Sequence, residues 1–561
     1  MKALAMPREA ARCVVVAGMH RSGTSLTAGL LARLGIDMGE QLVPADRANP
    51  RGYFEDCDVV SFHQRCFAGA LPRTGAGHAD WGWTPDASIE SSDLEPWRAD
   101  ALALLDRRRA AGHLWGFKDP RATLVLDFWH SLLPEPVYVG VYRDPALVAD
   151  SMQRLGAEVF LRNPGYAWHL WRLYNERLLA FARRHRARVV LLNVDAIAAN
   201  VERASGLLCD RLGISAHEAH LRSAFDTALL KRIGATDTLS RLARVVWSDC
   251  AATFDELESM ADLPAGGTQA PFSFPPRTDS DELSIVIPTH NDATLLVDAL
   301  ASVVDCSAGR GEILVLDDGT TDLECLRILD RLRDAGQTVL TQQNAGLSAA
   351  RNALISASRG RFILPVDSDN RLYPGFIERA IASLRSDPKI GVVYGDRLLF
   401  GGLSDRRRVP DFDIRAVLHR NSIDACAMFR REVWGDVGGY DTSLRGFEDW
   451  EFWIHAHKRG WRFQHLPQIA FEYRVRPGSL LSQCSTPKGY AQFRRTLWRT
   501  HADLLITLTP AAVRSLTHVP APPPENLRAL DPWSRLVYRA YWHAVWARDE
   551  RGSQPSMPPQ P

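Results

Sequence analysis

The chain has 561 residues, more than one hydrophobic core ordinarily serves, so its length implies at least two domains. Hydrophobic residues make up 46% and charged residues 24%, the balance of a soluble globular protein rather than a disordered or membrane-spanning one. With a net charge of +1, no global field draws in nucleic acid, and any anion must be held by a local arrangement.

Nine cysteines, an odd number without C-x-x-C pairs, argue against a disulfide framework and against structural zinc. The start, "MKALAMPREAARC", lacks the apolar stretch of a secretory signal. No apolar run approaches the ~20 residues that cross a bilayer. The expectation is a cytoplasmic protein.

The first predicted element is a buried strand, "CVVVAG" (Cys13–Gly18), running into the loop "GMHRSGTSL". Gly18 and Gly23 have the spacing of the phosphate loop G-x-x-x-x-G-K-[ST], but Thr24 stands where the lysine should be. Backbone N–H groups at a helix N-terminus bind anions whatever the side chains are. Thr24 and Ser25 add hydroxyls, and Arg21 supplies a planar, two-pronged donor set suited to phosphate. A nucleotide triphosphatase needs the lysine on the β- and γ-phosphates and a hydroxyl on Mg²⁺. This loop is therefore expected to grip a phosphate without necessarily sitting beside magnesium.

"NPRGYFEDCDVVSFH" follows, with Glu55 and His63, and then "GFKDPR", with Lys118 and Arg121 after a short apolar stretch. "VYVGVYRD" and "RVVLLNVD" read as further buried strands. In "YRDPALVADS", Arg143 ends a strand and Ser151 comes eight residues later in a helix, a spacing at which both can reach one phosphate. Residues 200–262 read as mostly helical.

Residues 12–200 resemble the sulfotransferases that use 3′-phosphoadenylyl sulfate (PAPS). Arg21, Ser22, Gly23, Thr24 and Ser25 match the family's 5′-phosphosulfate loop in its arginine form. Arg143 and Ser151 match its 3′-phosphate pair. The resemblance implies sulfuryl transfer without Mg²⁺, which accounts for the absent lysine. It also implies a base for the acceptor hydroxyl in the 49–63 segment. Glu55 is the first choice, His63 the second and His20 the third, with Lys118 in the catalytic set.

The Pro-, Gly- and Ser/Thr-rich stretch 263–281 reads as a linker between domains at 1–262 and 282–515. The second domain opens on another buried strand, "LSIVIPTHN", and continues through "EILVLDDG" and "RFILPVDSD". Strands alternating with helices predict parallel sheets covered on both faces, hence two tandem α/β domains. Acidic clusters end three of these strands, at Asp292, at Asp317 and Asp318, and at Asp367 and Asp369. Strand carboxyl ends line the ligand crevice of an open α/β sheet. Asp367 and Asp369, spaced i and i+2, can share Mg²⁺ or Mn²⁺ with a diphosphate.

The motif order over residues 282–480 resembles the inverting GT-A glycosyltransferases called family 2. The resemblance implies a Rossmann-like nucleotide-sugar domain taking a UDP-linked or similar donor. Asp292, Asp317 and Asp318 would contact the nucleoside. Asn344, Arg351 and Asn352 would shape the nucleotide site, and Asp367 and Asp369 would form the D-x-D metal site. "GGYDTSLRGFEDWEFW" resembles the acceptor segment, with Asp449 as base and Glu448 its neighbour. One departure stands out. Where relatives carry a histidine in "YRxHxxS", this chain reads "YRVRPGS", with Arg476, which can meet a diphosphate but cannot ligate a metal.

Residues 516–561 read as a Pro-rich linker, an amphipathic helix at Asp531–Glu550 suited to self-packing or to a peripheral membrane contact, and a tail. The whole predicts a bifunctional enzyme that transfers a sugar to a glycan or lipid-linked saccharide and a sulfuryl group to a hydroxyl of the same or a related acceptor, with no nucleic-acid partner. The alternatives are a glycosyltransferase joined to an ATP- or GTP-dependent kinase, or to a non-catalytic nucleotide-binding scaffold.

Overall fold

A computed structural model describes residues 13–46, 49, 52–71, 77–85, 87–109, 114–214, 237–266, 271–275, 281–418 and 420–515. The expected helix at 531–550 and the tail lie outside them. The chain forms two compact units, Met1–Ser273 and Phe274–Pro561.

The first unit is built on four parallel strands: β1 (Cys13–Ala17), β2 (Trp115–Lys118), β3 (Val137–Tyr142) and β4 (Val189–Asn193), in the order β2-β1-β3-β4. Every residue of these strands is buried. Alternation along each strand explains why. Val14, Val16, Val139, Val141, Val190 and Leu192 pack with Ala28, Leu31, Ile197 and Leu208 of helices on one face. Tyr138 points the other way, onto Phe181 of the helix Tyr166–Arg184, with ring centroids 4.6 Å apart. Each such side chain contributes about 1.5–3 kcal/mol on burial. The result is a three-layer α/β sandwich whose strand ends deliver Gly18, Lys118, Arg143 and Asn193 to one edge. Leu263, placed in the linker by its composition, is buried and bridges to Leu192, so the first unit extends past residue 262.

The second unit has a nine-stranded sheet: β5 (Leu283–Thr289), β6 (Glu312–Asp318), β7 (Thr338–Gln342), β8 (Phe362–Pro365), β9 (Arg371–Leu372), β10 (Ile390–Gly401), β11 (Asp405–Arg407), β12 (Met428–Arg430) and β13 (Arg462–Val475). The order is β7-β6-β5-β8-β12-β10-β13-β9, with β11 on β10. The parallel arrangement expected from the sequence holds for β7-β6-β5-β8. Beyond β8 the sheet is mixed: β12 runs antiparallel to both its neighbours and β9 to β13, while β10 and β13 are parallel. β12 has three residues and β9 two, too short for an alternation pattern to announce them. Among the described residues, no helix is long and apolar enough to cross a membrane.

Candidate active sites

In the first unit, the loop after β1 lies flat against its surroundings. Gly18 exchanges hydrogen bonds with the Thr123 hydroxyl, N–H to Oγ1 at 2.7 Å and Oγ1 to carbonyl at 3.2 Å. A Cβ on Gly18 would meet the Val141 carbonyl oxygen at 2.3 Å, and one on Gly23, at φ +90°, would meet Val194 Cγ2 at 2.1 Å. Gly23 then starts the helix Thr24–Arg33, whose first N–H groups point at the loop.

Arg21 adopts a left-handed φ of +67°, unusual for a residue with a side chain. That turn sends its guanidinium to Ser151, Nε donating to Oγ at 2.8 Å. The two phosphate motifs, 130 residues apart, are thus joined in space. Burial lowers the Arg21 pKa, and the nearby Arg143 lowers it further. Among the described residues, Asp195, at 3.4 Å, is the carboxylate that pairs with Arg143. Ser22 Oγ is buried with no hydrogen-bond partner. Two cations and an orphaned hydroxyl around a helix N-terminus are the chemistry that suits an anion.

Lys118, at the end of β2, links this loop to the predicted base. Its ammonium donates to Ser25 Oγ at 3.2 Å and to Glu55 Oε1. Burial pushes the Glu55 carboxyl up, and Lys118 pulls it back. Arg121 pairs with Asp119 at 2.9 Å, and its guanidinium lies over the Trp81 ring.

His63 corrects the sequence reading. It is fully buried, and both nitrogens are engaged: Trp129 Nε1 donates to Nε2 at 3.0 Å, and Nδ1 lies 2.9 Å from Asp119 Oδ2. Indole N–H only donates, so Nε2 carries no proton and Nδ1 donates to Asp119. A histidine so held is enclosed between Trp129 and Asp119 and offers neither nitrogen to an acceptor hydroxyl. His20 Nε2, by contrast, is buried without a partner among Trp81, Trp83 and Tyr174.

In the second unit, two arginines organise the acidic clusters. Arg351, 1% exposed, donates from Nη2 to Asp367 Oδ1 (2.6 Å) and from Nη1 to Glu448 Oε1 (2.5 Å). It ties the D-x-D loop to the E-D motif. Arg476, just past β13, donates from Nε to Asp369 Oδ2 (3.0 Å) and from Nη2 to Asp292 Oδ2 (2.5 Å). Burial pushes the Asp369 carboxyl up, and Arg476 opposes the shift.

Glu448 and Asp449 open the helix Glu448–Lys458, where the helix dipole favours carboxylates. Asp449 Oδ2 accepts from Asn421 Nδ2 at 3.1 Å. Burial, reinforced by Glu448 and Asp424, pushes the Asp449 carboxyl up to about 8. Asp424 is itself raised to about 6 by burial, against the pull of Arg397. Asn421 and Asp424 belong to no motif, and nothing in the sequence distinguishes them.

Asn352, expected to shape the nucleotide site, and Asp318, expected to contact the nucleoside, are both hydrogen-bonded within the chain. Asn352 donates to Tyr440 O (2.9 Å) and accepts from Trp434 Nε1 (2.9 Å) and Tyr440 N (2.8 Å), so its amide holds the 434–440 turn. Asp318 accepts from Gln342 Nε2 (2.7 Å) and from the N–H groups of Ala345 and Gly346 (2.9 Å each), and so clamps the loop that bears Asn344. Asp317 accepts from Thr320 N–H (2.8 Å), and Asn344 stays exposed beside His290.

Comparison with known proteins agrees with this division. Residues 13–218 match the model of the sulfotransferase family, and residues 284–438 that of glycosyl transferase family 2. An uncharacterized protein, y4gI, of Sinorhizobium fredii is 26% identical over 206 residues, 35% of this chain and 23% of its own length. A chondroitin synthase of Escherichia coli is 26% identical over 195 residues, 34% of this chain and 28% of its own. The chain thus spans less than a third of either relative. A crystal structure of TarS from S. aureus in complex with UDP-GlcNAc aligns with a TM-score of 0.34 and 18% identity, over 46% of this chain and 72% of that one. Residues 13–218 are a sulfotransferase-family domain and residues 284–438 a glycosyl transferase family 2 domain, carried in tandem on one chain.

Proposed function

We propose that the protein is a bifunctional glycan-modifying enzyme: one unit transfers a sugar from a nucleotide sugar, UDP-linked or similar, and the other transfers a sulfuryl group from PAPS to a hydroxyl. The acceptor is a glycan or a lipid-linked saccharide, a reading that the similarity to a chondroitin synthase supports. Placing two active sites on one chain raises the local concentration of each near the other's product.

For the first unit, the hydrogen bond between Arg21 and Ser151 carries the reading, because it joins the two phosphate motifs in one site. The residues fit PAPS. The loop 18–25 with Arg21 and the orphaned Ser22 hydroxyl suits the 5′-phosphosulfate, and Arg143 with Ser151 the 3′-phosphate. Bound there, PAPS supplies the activated sulfuryl group. Lys118 holds Glu55 next to that loop, and Glu55 accepts the proton of the attacking hydroxyl. Its burial brings the carboxyl nearer the operating pH, as a general base requires.

Replacing Glu55 by Gln is expected to lower sulfuryl transfer about 10²- to 10⁴-fold. Binding of adenosine 3′,5′-bisphosphate should be unchanged. The assay follows ³⁵S from labelled PAPS to oligosaccharide acceptors. A variant as active as the wild type would move the base elsewhere, with His20 next in line.

In the second unit, Asp449 takes the proton from the acceptor hydroxyl, and Arg351 keeps Glu448 and Asp367 in register. The D-x-D carboxylates do not fit a divalent ion as they stand. Asp367 is paired with Arg351 and Asp369 with Arg476. Among the described residues, one group of three or more His, Cys, Asp or Glu side chains brings ligand atoms within 4.8 Å. It is Glu451, His455 and His501, outside these acidic clusters. There Glu451 bonds His501 at 2.8 Å and ties two helices together.

A further inference from the structure

Asp369, the second D-x-D carboxylate, meets the residue in the histidine position of the motif "YRxHxxS", and that residue is a guanidinium. We propose that Arg476 replaces the divalent cation of the glycosyl-transfer site, so that the diphosphate is bound and released without a metal. The inference rests on the family 2 reading of the second unit.

Three observations support it. First, both D-x-D carboxylates are already neutralised, Asp369 by Arg476 at 3.0 Å and Asp367 by Arg351 at 2.6 Å. A divalent ion placed between them would displace two charge-assisted pairs and would sit against a guanidinium of like charge.

Second, Arg476 is held from two sides. Asp292 follows β5 and Asp369 follows β8, so two separate loops grip Nη2 and Nε. A guanidinium has five N–H donors, of which these bonds engage two. The others, including both on Nη1, have no protein partner among the described residues. The carboxylates therefore aim the fork rather than saturate it, and a phosphate of the diphosphate offers the pair of acceptor oxygens that the fork can meet bidentately.

Third, the side chain is 17% exposed, so it is fixed yet reachable, whereas Arg351 is sealed at 1%. Arg476 is the member of the pair that a ligand can touch.

The chemistry balances without an ion. The bond from the sugar's anomeric carbon to the β-phosphate oxygen breaks, and its electron pair stays on that oxygen. The acceptor oxygen bonds to the anomeric carbon, and its proton goes to Asp449. The charge gathered on the departing diphosphate is met by the free N–H groups of Arg476. This cation is charged at every physiological pH and cannot be removed by a chelator.

The test is calorimetric titration of the full chain with UDP, GDP and dTDP, first with EDTA and then with Mn²⁺. An Arg143→Ala background removes binding at the first unit's nucleotide site. The expected result is that the preferred diphosphate binds equally well in both conditions. Arg476→Gln should weaken binding about ten- to a hundredfold, the loss of a charged hydrogen-bonding partner, and Mn²⁺ should not restore it. Arg476→His should bind well only with Mn²⁺. Wild-type binding that requires Mn²⁺ would overturn the inference without touching the family 2 reading, and this comparison needs no folded variant. Undiminished affinity of Arg476→Gln in EDTA would overturn it equally. If none of the diphosphates binds in either condition, the nucleotide-sugar reading fails and takes the inference with it.

Discussion

Replacing Asp449 by Asn is expected to reduce glycosyl transfer about 10²- to 10⁴-fold while leaving nucleoside diphosphate affinity unchanged. The carboxyl lies at the first turn of its helix, held by Asn421, and among the described residues no cation pairs with it. Burial with Glu448 and Asp424 nearby pushes it up to about 8. A base works only when deprotonated, so the wild-type rate should climb as pH rises toward 8 and then level off. The sign for stability is opposite. A carboxyl raised above its ordinary 3.8 favours the fold while protonated. That contribution is present in full below 3.8 and is lost as pH rises through about 8. Asp449→Asn removes the titration, so above pH 8 the inactive variant should resist denaturant better than the wild type. A variant that keeps its rate, or a rate flat from pH 6 to 9, would remove Asp449 from the role of base.

The second large effect is on stability. Arg351→Met should cost the second unit about 3–5 kcal/mol, because it leaves Glu448 buried without its cation. The side chain is 1% exposed, so solvent screens little of this interaction. The loss is read as a lower denaturation midpoint of the second unit's transition. Adding Glu448→Gln should recover part of it, since removing both charges is far less damaging than removing one. A loss below about 1 kcal/mol, the scale of an exposed pair, would mean the two carboxylates do not depend on Arg351.

Much of this architecture was legible in residue order. The strand and helix around the glycine loop at 13–33 are where the sequence placed them, and a helix N-terminus there is suited to an anion by its backbone alone. The acidic clusters after β5, β6 and β8 announced a crevice because strand carboxyl ends converge in α/β sheets. What was not legible is which partner satisfies each polar group. Asn352 and Asp318 have the right chemistry to touch a nucleotide, yet backbone N–H and C=O groups take them first. His63 looks like a base until Trp129 and Asp119 are found on its two nitrogens. Asn421 and Asp424 reach Asp449 from a loop, and Arg476 reaches Asp292 across 184 positions, distances over which no local pattern operates.

The central claim is that the first unit binds PAPS and not a nucleoside triphosphate. Its most direct test is calorimetric titration of the full chain with adenosine 3′,5′-bisphosphate, beside ATP with Mg²⁺, for the wild type and Arg143→Ala. Tight binding of the bisphosphate, weak binding of ATP, and loss of the first in the variant is the predicted result. Tighter binding of ATP with Mg²⁺, unaffected by Arg143→Ala, would contradict it and make the first unit a candidate kinase.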